Sequence, residues 1–109
     1  MAAFWAELPE ADHNEICAWG SEAPAPMCAM FLDDDSQDER LLRRVELTAR
    51  LIGEAGAQVE IACARGATPL ERTLSLVLLG DLVSLYLAVL DGVDPTPVET
   101  IQQLKAALA

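Results

Sequence analysis

Cations are scarce in this sequence: seven lysines and arginines stand against eighteen aspartates and glutamates, a formal net charge of −11. A nucleic-acid binder needs a basic patch to displace phosphate counterions, and this composition offers none. Binding to an anionic membrane surface is disfavoured for the same reason. A phosphorylated small ligand stays admissible, because backbone amides at a helix N-terminus hold a phosphate locally whatever the net charge. Aromatics are also few, at 5% of residues. The apolar 52% therefore rests on Ala, Leu, Val and Ile, a mix that suits buried helices and strands and excludes a disordered tail. The cysteines Cys17, Cys28 and Cys63 show no CxxC spacing, which removes the usual zinc pattern, and they read as reduced, small hydrophobic side chains. There is no basic segment followed by an apolar one at the N-terminus, no Gly-rich phosphate loop and no internal repeat.

At 109 residues the chain has room for one domain, residues 1–109. Pro9 to Trp19 reads as a short helix, with Glu10 and Asp12 at the positive end of its dipole, ended by a loop containing Gly20, Ser21, Pro24 and Pro26. Met27 to Leu32 is an unbroken apolar run bounded by turn residues, the pattern of a strand buried on both faces. Ser36 as N-cap and Glu39 as its capping-box partner then open an amphipathic helix that Gly53 and Gly56 close. Gln58 to Cys63 is a second strand. Thr68-Pro69 with Glu71 starts a long helix reaching about Leu90, and Val98 to Leu108 forms a last one. The stretch Leu74 to Leu90 is apolar almost all round. It contains Gly80, Asp81 and Ser84 and falls slightly short of the ~20 residues of a bilayer span, so the expectation is a soluble, deeply buried helix.

Strand–helix–strand implies a right-handed crossover and a parallel sheet. Two parallel strands need more strands beside them and cover on both faces, and the apolar helix needs cover of its own. The expected fold is therefore a partial α/β domain, completed by a further segment or by a second subunit.

Chemistry is thinly signalled by residue type. His13, in Asp12-His13-Asn14-Glu15, is the only histidine, and imidazole exchanges a proton near neutral pH. Taken alone, an exposed histidine at a helix end is the plainer reading. Asp33-Asp34-Asp35 has the carboxylates for a metal, but a charge run after a strand is more often a solvated turn. Lys105, the only lysine, reads alone as an exposed cation near a helix C-terminus.

Particular runs carry more. Leu8-Pro9-Glu10-Ala11-Asp12-His13-Asn14-Glu15-Ile16, Gly80-Asp81-Leu82-Val83-Ser84-Leu85-Tyr86-Leu87-Ala88, Gly92-Val93-Asp94-Pro95-Thr96-Pro97-Val98 and Ile101-Gln102-Gln103-Leu104-Lys105 follow in that order. Together they resemble the C-terminal region of the bifunctional phosphoglucose/phosphomannose isomerases, members of the sugar isomerase (SIS) fold family, over essentially the whole chain. The resemblance implies a partial three-layer α/β/α, flavodoxin-like SIS domain with parallel strands, in a cytoplasmic homodimer without membrane or nucleic-acid partners. It implies a phosphorylated hexose as substrate: glucose 6-phosphate or mannose 6-phosphate is interconverted with fructose 6-phosphate by ring opening and an enediol, with no metal or organic cofactor. On this resemblance His13 assists ring opening and reaches the partner subunit's active site, Lys105 sits near the ring oxygen or a sugar hydroxyl, and Thr96 lines the site. Ring opening needs one proton delivered and one removed, which suits a histidine and a lysine.

The departures limit this expectation. The family's base is a glutamate in an Asn-Glu-Asn-Ala-Lys-like run just before the histidine motif, and neither Glu7 nor Glu10 matches it. The phosphate-binding Ser/Thr loops and an enediolate-stabilising arginine belong to the family's first SIS domain. Cys17-Ala18 stands where a hydrophobic pair is usual. The expectation is thus the C-terminal part of an isomerase, inactive in isolation; a non-catalytic dimerisation module or a phosphosugar-binding sensor is the alternative.

Overall fold

The structure is a computed structural model and describes residues 3–13, 15–19 and 27–108. It divides into two compact units, one ending at Leu76 and one starting at Val77. The loop expected around Gly20 to Pro26 lies outside the described residues.

The first unit opens with a 3-10 turn at Glu10–Asp12 and a four-residue helix α1 (Glu15–Ala18), in place of the continuous helix expected from Pro9 to Trp19. The cause is local. Asp12 N and His13 N donate to the carbonyls three residues back, Pro9 O at 3.1 Å and Glu10 O at 3.0 Å, and the Asp12 carboxylate is drawn away to a later helix.

Strand β1 (Cys28–Asp33), helix α2 (Glu39–Glu54) and strand β2 (Gln58–Cys63) follow. Among the described residues the sheet has these two strands, paired in parallel from Cys28 opposite Gln58 to Asp33 opposite Cys63. The N-cap of α2 is Asp38, whose carboxylate accepts from Arg40 N at 2.9 Å, and not Ser36. Ser36 is engaged elsewhere: its N–H and hydroxyl both donate to Asp34 Oδ1, at 2.9 and 2.7 Å, which makes it part of the turn leaving β1. At the other end Gly56, at φ 93°, closes α2 with a Schellman pair, Gly56 N to Gly53 O and Ala57 N to Ile52 O.

Helix α2 supplies the core. Val45, Thr48, Ala49 and Ile52 recur at helical spacing and form the buried set among the described residues. They face the sheet, and burying Val45 and Ile52 contributes about 1.5–3 kcal/mol each. The strands are not buried on both faces as expected. In β1 exposure alternates: Ala29, Phe31 and Asp33 are half-buried, whereas Met30 and Leu32 are 47% and 55% exposed. A single helix covers only one face of a strand pair.

Helix α3 (Pro69–Leu90) starts as its sequence predicts. Glu71 Oε2 accepts from Ala67 N and Thr68 N at 2.7 and 2.8 Å, and Thr68 Oγ1 accepts from Glu71 N at 3.3 Å. The expected deep burial is not met: none of its 22 residues is buried. Leu74, Leu78 and Tyr86 are more than half exposed, because these described residues hold too little chain to enclose a helix that is apolar all round. By length and composition alone α3 is long and apolar enough to cross a membrane.

The second unit contains the rest of α3, its Schellman end at Gly92 (φ 69°; Gly92 N to Val89 O, Val93 N to Ala88 O), a turn at Asp94–Thr96 and helix α4 (Glu99–Leu108). Cys17, Cys28 and Cys63 are free, as expected of reduced cysteines, and all three are exposed.

Candidate functional site

The first unit holds the histidine motif against α2. Asp12 Oδ1 accepts from Thr48 Oγ1 at 2.8 Å and Asp12 Oδ2 from Arg44 Nη1 at 3.0 Å. The Asp12 side chain is only 13% exposed, whereas the His13 ring beside it is 67% exposed. His13 Nδ1 lies 3.4 Å from Glu10 Oε2, a contact that orients the ring when that nitrogen carries the proton. Asn14, the next motif residue, lies outside the described residues. An open groove beside the motif is lined by Asp12, Ile16, Leu47, Leu51, Arg40, Arg43 and Arg44, with Arg43 paired to Glu46 and Arg44 to Asp12.

The C-terminal ends of both strands are tied to the first turns of α3. Arg72 Nε donates to Asp34 Oδ2 at 3.0 Å, and Arg72 Nη1 to Ala67 O at 3.3 Å. Ser75 Oγ accepts from Arg65 N at 2.7 Å. Hydrogen bonds from the Ser36 hydroxyl and N–H, then the Arg72 guanidinium, hold the Asp34 carboxyl below the usual carboxylate range. The amides of Thr68 and Ala67 do the same for Glu71. Asp33 Oδ1 is also engaged, by Asp34 N at 2.9 Å and Gln37 Nε2 at 3.2 Å, so the aspartate run serves as a hydrogen-bonded turn.

Thr96 and Lys105 belong to the second unit. Thr96 N donates to Asp94 Oδ1 at 2.9 Å, and this amide, followed by the Thr96 hydroxyl, keeps the Asp94 carboxyl below its ordinary range. The bond closes an Asx turn from Asp94 to Thr96 ahead of α4. Lys105 is exposed in the last turn of α4, where the dipole favours a cation.

The sequence singles out His13, Thr96 and Lys105 as candidates, with Asp12 only as an acid at the helix start and a carboxylate next to the imidazole; its contacts with α2 are new. The signal lay in α2: a threonine inside its apolar stripe must find a partner for its hydroxyl.

A parallel strand pair joined by a helix, with both strand ends fastened to the helix that follows, defines this chain as a partial α/β domain. The family model described as the bacterial phospho-glucose isomerase C-terminal SIS domain matches residues 1–108, and the chain belongs to that family. It is 35% identical over 107 residues to a bifunctional phosphoglucose/phosphomannose isomerase of Aquifex aeolicus, covering 97% of this chain and 33% of the relative. It is 39% identical over 111 residues to the protein of the same description from Caldicellulosiruptor bescii, covering 98% of this chain and 32% of that one. A Thermoplasma acidophilum protein so described is 35% identical over 79 residues, 72% of this chain and 24% of its own length. The chain thus spans about a third of the length of the first two relatives. No solved structure matches it.

Proposed function

We propose that this chain serves as the C-terminal SIS domain of a cytoplasmic, homodimeric aldose–ketose isomerase that interconverts glucose 6-phosphate or mannose 6-phosphate with fructose 6-phosphate. Family membership over residues 1–108 carries the reading, and the exposed His13 ring on a pinned segment supports it. The protonated His13 ring gives its proton to the ring oxygen of the aldose while a water molecule takes the proton of the C1 hydroxyl. The C1–O bond of the ring then breaks and leaves an aldehyde and a free hydroxyl. Lys105 donates to the ring oxygen or a neighbouring hydroxyl, and Thr96 lines the sugar site. Moving the proton between C2 and C1 through the enediol needs a base, and no residue of this chain matches the family's glutamate for that step. No metal or organic cofactor takes part. The chain by itself is expected to leave fructose 6-phosphate unchanged, whereas an enzyme carrying this domain turns it over; turnover by the 109-residue chain alone would refute the division of labour.

The bare surface of α3 favours a second reading, a dimerisation or phosphosugar-binding module without catalysis. In the first reading a second subunit or a further segment of protein covers α3, and Gly80, Asp81 and Ser84 in mid-helix favour protein over lipid. Failure of any enzyme carrying this domain to isomerise either sugar, with sugar binding retained, would select the second reading.

A further inference from the structure

We infer that Asp12 is a positioning residue for His13: held by Thr48 and Arg44, its carboxylate fixes the backbone from which the imidazole works. This rests on the reading of His13 as the proton donor for ring opening.

Asp12 and His13 are consecutive but differ in every physical respect. The His13 ring and its Glu10 neighbour are 67% and 80% exposed, and the Asp12 side chain is 13% exposed. Among the described residues the Asp12 carboxylate accepts nothing from its own turn. It sends both oxygens to α2, to partners 32 and 36 residues further along the chain. The Thr48 hydroxyl is the telling partner. Thr48 is the polar member of an otherwise apolar buried set, 5% exposed, at a position where valine would fill the same space without a hydroxyl to satisfy. A short hydrogen bond to a carboxylate is stronger than one between neutral groups, so this hydroxyl does more than fill the stripe. Arg44 holds the second oxygen and neutralises it.

The effect reaches His13 through the backbone. Asp12 N is bonded to Pro9 O and His13 N to Glu10 O, so the turn is closed on both sides of the pinned residue. Once Asp12 is fixed to the helix that carries the core, the freedom left to His13 is essentially that of its own side chain. A displacement of ~1 Å in a catalytic group costs on the order of 100-fold in rate.

Because His13 is the only histidine, selective isotope labelling of histidine marks its amide alone. The decisive variants are Thr48→Val and Asp12→Asn, with Thr48→Ser as the conservative rescue. In the 109-residue chain we expect the order parameter of the His13 amide to drop from ~0.85 to below ~0.6 in Thr48→Val and Asp12→Asn. The β1 and β2 amides should keep theirs, and Thr48→Ser should restore His13. In an active enzyme carrying this domain, Thr48→Val should lower kcat for the ring form about 10-fold or more with KM little changed, and the serine variant should recover it. An unchanged His13 order parameter in Thr48→Val overturns the inference whatever the kinetics. So does full ring-form turnover in Thr48→Val where His13→Ala is slow, which leaves the role of His13 standing. If neither variant slows ring opening, the reading of His13 itself fails and the inference with it.

Discussion

Arg72 reaches back from the first turns of α3 to Asp34, Nε to Oδ2 at 3.0 Å, and so joins the end of β1 to the helix that follows β2. The same guanidinium donates to Ala67 O, so one side chain fastens both strand-end loops. Replacing it with alanine should lower the thermal midpoint by several degrees, and a double-mutant cycle with Asp34→Asn should show coupling. Strictly additive losses in differential scanning calorimetry would mean the pair holds nothing together.

Acid should weaken this fold. Asp34, Glu71 and Asp94 sit below their ordinary values of 3.8, 4.5 and 3.8, each because hydrogen bonds favour its ionised form. A carboxyl with a lower pKa folded than unfolded adds stability above its unfolded value. That stability is lost as the pH falls through the ordinary range to the depressed folded one. The urea midpoint should hold level near neutrality, start to fall below about pH 5 and keep falling below pH 4. In Glu71→Gln the fall should be shallower; an equal slope would remove Glu71 from this account.

Gly66 has no room for a side chain. At φ 142° an added Cβ would overlap Glu71 Cβ and lie 3.0 Å from Arg72 N, in the capped start of α3. Gly66→Ala should cost more than about 1 kcal/mol, whereas an alanine at Gly80, where nothing crowds the added carbon, should cost nothing or help the helix slightly. Chemical denaturation of the two variants compares them directly.

The α2 stripe should dominate stability. Ile52, 4% exposed, loses its packing on the sheet when cut to alanine, at a cost of about 2–5 kcal/mol. Leu90, 80% exposed, should tolerate the same cut within about 0.5 kcal/mol.

Much of this fold could be read in the sequence wherever one signal was strong and local. Thr68, Pro69 and Glu71 marked the start of α3, and the run from Gln58 to Cys63 marked β2 at its observed bounds. Errors arose where two nearby groups competed. Ser36 and Asp38 both suit a cap, and Asp34 took Ser36. The helix expected through Asp12 broke because its carboxylate serves a contact 36 residues away, which no local pattern encodes. Burial of β1 and α3 was overestimated for a related reason: apolar composition records what a segment can bury, not whether enough chain is at hand to cover it. The candidates His13, Thr96 and Lys105 stand out only as parts of long ordered motifs, since each is an exposed residue of ordinary type.

On the proposed reading His13 opens the sugar ring. The direct measurement compares His13→Ala with the unaltered enzyme on the cyclic phosphohexose and on an open-chain substrate analogue. We predict a loss of about 100-fold or more in turnover of the ring form, with the open-chain form nearly unaffected. Equal losses on both, or none on either, would contradict it.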